Sequence, residues 1–197
     1  MSKRKPTAPV RLNLGCGRVP AGDGFINVDN FLPLDGSKHN FVHGDILDLP
    51  FERDFADYIL CDNVLEHLAM SDVPRALHEI RRVLKVGGRA VLIVPDFSCI
   101  AKQWLAADEG DVFNPYVYRY VSETIYGNQL HAGEFHRAAF SPKFFNYVLQ
   151  MCGFTAYTLT MYPAGGLCPD YPGMQPLGEG ARCRNDQIVA DVKKGFK

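Results

Sequence analysis

The sequence predicts an α/β fold: a mostly parallel seven-stranded sheet with an antiparallel last strand and helices on both faces. Three observations predict it. Short apolar runs alternate with segments of helical period, the pattern of strands joined by crossover helices. Residues with chemical reach gather just after the apolar runs, where open parallel sheets bind ligands. The last two apolar runs, 154–161 and 187–192, are joined by a Gly/Pro-rich stretch without helical period, so they pair as an antiparallel hairpin.

The elements follow in order. Residues 10–14 form the first strand and 25–29 the second. The link between them holds Pro20, Gly22 and Gly24, which predicts a loop or a single turn in place of a crossover helix. Phe41 and Val42 lead into Gly44-Asp45 as a short third strand, and 57–61 is a strong fourth. Helix 71–85 is capped by Ser71, tolerates Pro74 in its first turn and is stopped by Gly87-Gly88. Its apolar face is Val73, Ala76, Leu77, Ile80, Val83 and Leu84. Arg89 to Val94 is a buried central strand, and 97–107 suits a helix. Ser141-Pro142 starts another helix that runs to Cys152 and ends at Gly153. Residues 108–140 fit no regular element and are rich in aromatics, Phe113, Tyr116, Tyr118, Tyr120, Tyr126, Phe135 and Phe140 among them. This insertion either roofs a ligand pocket or covers the edge of the sheet.

The chain of 197 residues suits one domain over 10–197, with residues 1–9 as a flexible tail. Hydrophobic residues make up 47% and charged residues 22%, and the formal net charge is -1, a balance that gives no general pull toward nucleic acid or anionic membrane. No apolar run approaches a membrane span, and the basic start lacks an apolar signal core. The six cysteines are scattered without a Cys-x-x-Cys pair, which reads as reduced thiols and a cytoplasmic protein. Cys168 and Cys183 allow a disulfide in the late loop, with free thiols the preferred reading.

The chemistry lies at the strand ends. Gly15 and Gly17 follow strand one, Asp29 ends strand two, and Gly44-Asp45 follows strand three. Asp62, Asn63, Glu66 and His67 follow strand four, and Pro95-Asp96 follows strand five. A glycine-bracketed turn lets a ligand approach the backbone, and a carboxylate after the second strand accepts from ribose hydroxyls. The arrangement therefore suits a nucleoside cofactor. It disfavours NAD, because the third fingerprint glycine is replaced by Pro20 and Asp29 comes only 12 residues after Gly17, against about 20 in that fingerprint. There is no glycine-lysine loop for ATP. His78-Glu79 has Arg82 where a second zinc ligand would stand, which rejects zinc hydrolysis. His131 and His136 read as surface or substrate-side residues, and no metal is expected.

These motifs resemble the class I S-adenosylmethionine (SAM)-dependent methyltransferases of the broad type-11 group, a Rossmann-like fold. The resemblance rests on Leu12-Asn13-Leu14-Gly15-Cys16-Gly17, Ile26-Asn27-Val28-Asp29, Gly44-Asp45-Ile46, Asn63-Val64-Leu65-Glu66-His67-Leu68 and Arg82-Val83-Leu84-Lys85-Val86-Gly87-Gly88. Val86 stands where the group usually has proline. The resemblance implies that Gly15 and Gly17 approach the methionine part of SAM and that Asp29 holds the ribose. It implies that Asp45 and Ile46 flank the adenine and that Asn63 lies near the sulfonium. The full cofactor set it implies is Leu14, Gly15, Cys16, Gly17, Asp29, Asn30, Gly44, Asp45, Ile46, Asp62, Asn63, Val64 and His67.

Methyl transfer is an in-line displacement, so alignment comes first and a general base helps when the acceptor is a hydroxyl or a protonated amine. The expected acceptor is a small molecule or sugar-like O or N nucleophile, with S-adenosylhomocysteine (SAH) as the other product. The Asn/Asp-Pro-Pro-Tyr/Phe motif of nucleic-acid amino-methylating enzymes is absent. His136 and Glu66 are the catalytic candidates, with Tyr126 and Glu134 as weaker ones. His136 also has a structural reading, in which it ties the insertion to the sheet. A non-catalytic SAM- or nucleotide-binding protein of the same fold is the alternative function. The oligomeric state is not legible in the sequence.

Overall fold

The structure is a computed structural model that describes residues 8–17, 20–30, 40–109, 115–154, 156–161 and 187–195. Residues 1–7 of the expected tail, Phe113, Cys168, Cys183 and the loop 163–185 lie outside the described residues. Strands β1 (Arg11–Leu14), β2 (Phe25–Asp29), β3 (Phe41–His43), β4 (Ala56–Asp62), β5 (Leu84–Pro95), β6 (Ala156–Met161) and β7 (Gln187–Lys193) form one seven-stranded sheet in the order β3-β2-β1-β4-β5-β7-β6. The pairs among β1 to β5 are parallel. β7 is antiparallel to β5 and to β6, so the long-looped hairpin forms as expected.

The period of two along the strands sorts the core onto two faces. Leu12 and Leu14 of β1, Ile59 and Cys61 of β4, and Ala90, Leu92 and Val94 of β5 join the larger cluster. That cluster is closed by helix α1 (Val73–Val83) and helix α4 (Pro142–Met151). The alternate residues Phe25, Leu60, Val91, Ile93 and Val189 build a smaller cluster on the other face. Past Phe25, at the middle of β1 and β2, this second face turns polar: Asn13 Nδ2 donates to Asn27 Oδ1 at 2.9 Å. Ala21 N donates to the same Oδ1 at 2.8 Å, which fastens the short β1–β2 link onto the sheet. No helix occurs in the described part of that link.

Three expectations need correction. The helix expected over 71–85 spans Val73–Val83, and its cap position is Asp72, without a side-chain cap bond, in place of Ser71. The chain turns straight from Val83 into β5, so Gly87-Gly88 lie within that strand and do not stop the helix. The reason is pairing: Leu84 already stands opposite Ala56 of β4, and a register shift between Ala56 and Tyr58 absorbs the extra residues. The segment 108–140 is not irregular throughout. It holds helix α3 (Pro115–Tyr126), started by a proline and anchored by fully buried Val121. α3 lies against helix α2 (Phe97–Asp108), with Trp104 and Tyr118 edge to face at 5.1 Å. Its described aromatic residues hid the helical period, because Tyr118 and Tyr120 are half-buried and Tyr126 is exposed.

Asp96 is accounted for by the fold. It is buried and caps α2, accepting from the amides of Ser98 at 2.9 Å and Cys99 at 3.4 Å. Ser141 caps α4 as expected, accepting from the Phe144 amide at 3.3 Å. Among the described residues no helix is long and apolar enough to cross a membrane.

Candidate active site

The glycine turn after β1 is tied to the end of β2. The amides of Gly15 and Cys16 both donate to the Val28 carbonyl, at 2.8 and 3.2 Å. Gly17 N donates to Oδ2 of Asp29 at 2.7 Å. Gly15 and Gly17 both adopt positive φ, 64° and 51°, a region that an L side chain enters only with strain. At Gly15 there is a second constraint: an added Cβ would overlap Val64, which comes from the turn after β4. Leu14 and Cys16 are buried beneath the turn, and Asp29 is 9% exposed at its rim. Burial, with the nearby Asp29 charge as the second cause, pushes the Cys16 thiol up to about 12, so it is protonated at neutral pH and no nucleophile.

The second part of the site lies after β3. Asn30 and Asp45 are exposed, and Gly44 and Ile46 are half-buried. Oδ1 of Asp45 accepts from Leu47 N at 2.9 Å, which shapes the turn after β3. Gly44 is packed between Pro50 and Val28, and its amide donates to the Asp29 carbonyl at 3.1 Å.

The third part is a cavity of about 330 Å³ beyond the ends of β4 and β5. It collects the strand-end residues Asn63, Glu66, His67 and Pro95 and the candidate His136, and adds Glu134 from the weaker candidates. Asn63 sits at φ 53°, where its Nδ2 donates to Asp62 Oδ1 at 2.8 Å. Gln187, the first residue of β7, donates to Asn63 Oδ1 at 3.0 Å. Glu66 and His67 belong to a 3-10 turn, Leu65–His67.

His136 reaches this turn through backbone bonds. The amides of Arg137 and Ala138 both donate to the Glu66 carbonyl, at 2.7 and 3.0 Å. The His136 amide donates to the Tyr126 carbonyl at 3.0 Å. Gly127, at φ 78°, leaves no room for a Cβ against the Glu134 carbonyl, so the end of α3 and the 132–136 segment are fitted together. His67 and His136 meet edge to face, with ring centroids 4.7 Å apart. Burial first, and the nearby His136 second, hold His67 below the usual imidazole pKa.

Two sequence candidates fall elsewhere. Tyr126 is 58% exposed and is absent from the cavity lining. His131 bonds within its own loop, with Nδ1 accepting from Gly133 N at 3.2 Å and Nε2 3.1 Å from Glu134 Oε1. Sequence reasoning missed Gln187, Glu123, Thr124 and Asn128, which line the cavity together with Tyr120, one of the aromatics noted in the insertion. Tyr120, Glu123 and Thr124 stand three and four apart on α3, a helical spacing that becomes visible once α3 is recognised.

Comparison with known proteins agrees with this architecture. Residues 27–92 match a family model described as a methyltransferase domain. An uncharacterized protein of Methanocaldococcus jannaschii is 37% identical over 79 residues, which cover 40% of this chain and 34% of that one. The chloroplastic 2-methyl-6-phytyl-1,4-hydroquinone methyltransferase of Arabidopsis thaliana is 39% identical over 81 residues, 41% of this chain and 22% of that one. The chain thus spans about a third or less of the length of these two relatives. A solved SAM-dependent methyltransferase of Archaeoglobus fulgidus shares the fold, with a TM-score of 0.60 at 14% identity over 95% of this chain and 87% of that one. The fold and the methyltransferase family model over residues 27–92 agree with the motif resemblance drawn from the sequence.

Proposed function

We propose that this chain is a class I methyltransferase that binds SAM along the ends of β1 to β4 and moves its methyl group to a small neutral or cationic acceptor held in the cavity. The observation that carries the reading is the Gly17–Asp29 bond of 2.7 Å, which fixes a glycine turn and a carboxylate as one unit at the carboxyl ends of adjacent parallel strands. The residues fit the cofactor. A Cβ built at Gly17 meets no atom of the described residues within 4 Å, so among them the turn leaves room for a ligand to come close. SAM, when bound, supplies a methyl group on a sulfonium.

The chain's part is to bind and align. Asp29 accepts from the ribose hydroxyls, and Asn30, Gly44, Asp45 and Ile46 border the adenine. Leu14, Gly15, Cys16 and Gly17 carry the methionine end, with Asp62, Asn63, Val64 and His67 on the side toward the cavity. Glu66 and His136 act on the acceptor, orienting it and dealing with its proton. Positioning of this kind is worth on the order of 7–11 kcal/mol.

The nature of the wall supports the acceptor class. Glu66, Glu123 and Glu134 line the cavity, and no lysine or arginine does among the described residues. A phosphodiester or a carboxylate would meet like charge there, which disfavours nucleic acid. A hydroquinone such as the one named for the Arabidopsis relative is a neutral diol and meets no such barrier. The cavity favours an enzyme over a non-catalytic binder, because it provides a second compartment beside the cofactor residue Asn63.

Calorimetry with SAM, SAH and NAD tests the reading. SAM and SAH are expected to bind and NAD to give no heat. NAD binding without a response to either sulfur compound would overturn it.

A further inference from the structure

We propose that Glu66, His67 and His136 form a binding site for one divalent first-row transition ion on the acceptor side of the cavity. This deepens the methyltransferase reading and rests on it only for the role of the ion, not for its binding. The residues come from two parts of the chain, the turn after β4 and the segment after α3, and the backbone bonds from Arg137 and Ala138 to Glu66 bring them together. One ligand atom from each lies within 4.8 Å of the others. Ligands at about 2.0–2.2 Å from an ion stand roughly 3–4 Å apart, so closure needs side-chain shifts of less than about 1 Å.

The imidazoles are oriented for this. His67 Nδ1 lies 3.2 Å from the Phe135 carbonyl, and His136 Nδ1 lies 2.7 Å from the Thr124 carbonyl. A carbonyl only accepts, so each Nδ1 carries the proton and donates, and Nε2 is the nitrogen offered to an ion; the Asn63 carbonyl is a second backbone partner of the His67 ring. A histidine held through its other nitrogen by a carbonyl is the usual support of a metal ligand. Glu66 contributes a carboxylate that is 1% exposed at the cavity wall. The acidic lining with Glu123 and Glu134 adds a field that attracts a cation. Two imidazoles and one carboxylate suit zinc, iron, cobalt or nickel, and not magnesium or calcium, which prefer oxygen.

Three protein ligands leave coordination positions open toward the cavity. An acceptor hydroxyl bound there would lose its proton to water more readily, as metal-bound water does. Its oxygen then forms the new bond to the methyl carbon while the sulfur takes the electrons of the breaking S–C bond. The net products are the methyl ether, SAH and one proton, with no change of oxidation state. Sequence reading missed the site because it weighed His136 against His131, its neighbour in the chain, and not against Glu66 and His67, its neighbours in the fold.

The test uses tag-free protein, freed of metal by chelator and titrated with Co²⁺ alone. Visible d–d absorption and calorimetry read the binding, and SAH calorimetry runs beside them. The expected result is saturable binding of one Co²⁺ per chain, competed by Zn²⁺. His136→Gln and His67→Gln should each weaken it at least 10-fold with SAH affinity kept for His136→Gln, and His131→Gln should leave it unchanged. Glu66→Gln should do the same as the histidine variants, with a thermal melt reporting that it folds. Absence of saturable Co²⁺ binding, or binding that survives His136→Gln in folded protein, would overturn the site. SAH binding without Co²⁺ binding removes the metal and leaves the methyltransferase reading. Co²⁺ binding without SAH binding does the reverse.

Discussion

The Gly17 amide donates to the Asp29 carboxylate at 2.7 Å, so the residue proposed to hold the ribose also holds the turn proposed to approach the methionine end. Removing the carboxylate therefore acts twice. A hydrogen bond to a charged group is worth about 1.5–3 kcal/mol, so Asp29→Ala should weaken SAH binding roughly 10- to 150-fold. Asp29→Asn keeps one acceptor oxygen and should cost less. Calorimetry on both variants, with melting curves to show that they fold, measures this. Unchanged affinity in folded Asp29→Ala would move the ribose site elsewhere.

Gly15 and Gly17 should differ under the same substitution. Both have positive φ, which costs an alanine about 1–2 kcal/mol. Among the described residues Gly15 faces a neighbour, since its Cβ would overlap Val64, whereas that of Gly17 meets none of them within 4 Å. Overpacking adds about 1–3 kcal/mol. Gly15→Ala should thus destabilise by about 2–5 kcal/mol and Gly17→Ala by about 1–2 kcal/mol in urea unfolding. Val64→Ala in the Gly15→Ala background should recover part of the loss. Equal costs at the two glycines would mean that Val64 is not the constraint.

The glycine turn and the acid proposed for the cofactor were legible in the sequence because their signals are local. Leu12 to Gly17 and Ile26 to Asp29 each carry strand, turn and acid within a few residues, and the two runs pair in register as adjacent parallel strands. The short β1–β2 link was readable for the same reason. The lining of the cavity was not. Gln187 meets Asn63 across 124 positions, and His136 meets His67 across the whole α1–β5–α2–α3 stretch. Such partners share no spacing, and only the sheet order and the backbone bonds at Glu66 bring them together. The end of α1 was missed for an energetic reason: pairing of Leu84 with Ala56 takes over before the glycines are reached.

Arg82 should matter more to folding than its position on α1 suggests. Its guanidinium donates to Glu79 at 2.7 Å and to the carbonyls of Phe51 and Leu49 at 2.7 and 3.0 Å, while Glu79 also accepts from Leu49 N at 3.0 Å. The Arg82 bond, before the Leu49 amide, holds the Glu79 carboxyl below its usual range. The unfolded chain then binds a proton before the folded one does. The stability from this contact is complete above the unfolded carboxylate pKa and is lost as pH falls through the folded one. Glu79→Gln should flatten the acid limb of the stability profile below about pH 4.5. Arg82→Ala leaves two carbonyls and a carboxylate without this donor and should cost about 2–3 kcal/mol at neutral pH. Denaturant unfolding across pH measures both, and an unchanged acid limb in Glu79→Gln would refute the linkage.

Gln187 should tune cofactor binding from the far end of the chain. Its Nε2 donates to Asn63 Oδ1 at 3.0 Å, and Asn63 Nδ2 donates in turn to Asp62 Oδ1 at 2.8 Å, so the Asn63 amide is oriented from both sides. Gln187→Ala removes one neutral hydrogen bond, worth about 0.5–1.5 kcal/mol, and should weaken SAH binding about 2- to 13-fold. Gln187→Glu is the sharper probe. A carboxylate cannot donate, so Asn63 Oδ1 would face negative charge. Rotating the Asn63 amide to offer Nδ2 to the new carboxylate would turn Oδ1 toward Asp62, which also only accepts when ionised. Neither orientation satisfies both neighbours, so Gln187→Glu should bind SAH more weakly than Gln187→Ala at pH 7. Lowering the pH far enough to protonate the introduced carboxyl restores a donor and should narrow the gap between the two variants. SAH affinity in Gln187→Glu equal to that of the wild type would show that the Asn63 orientation does not govern the cofactor.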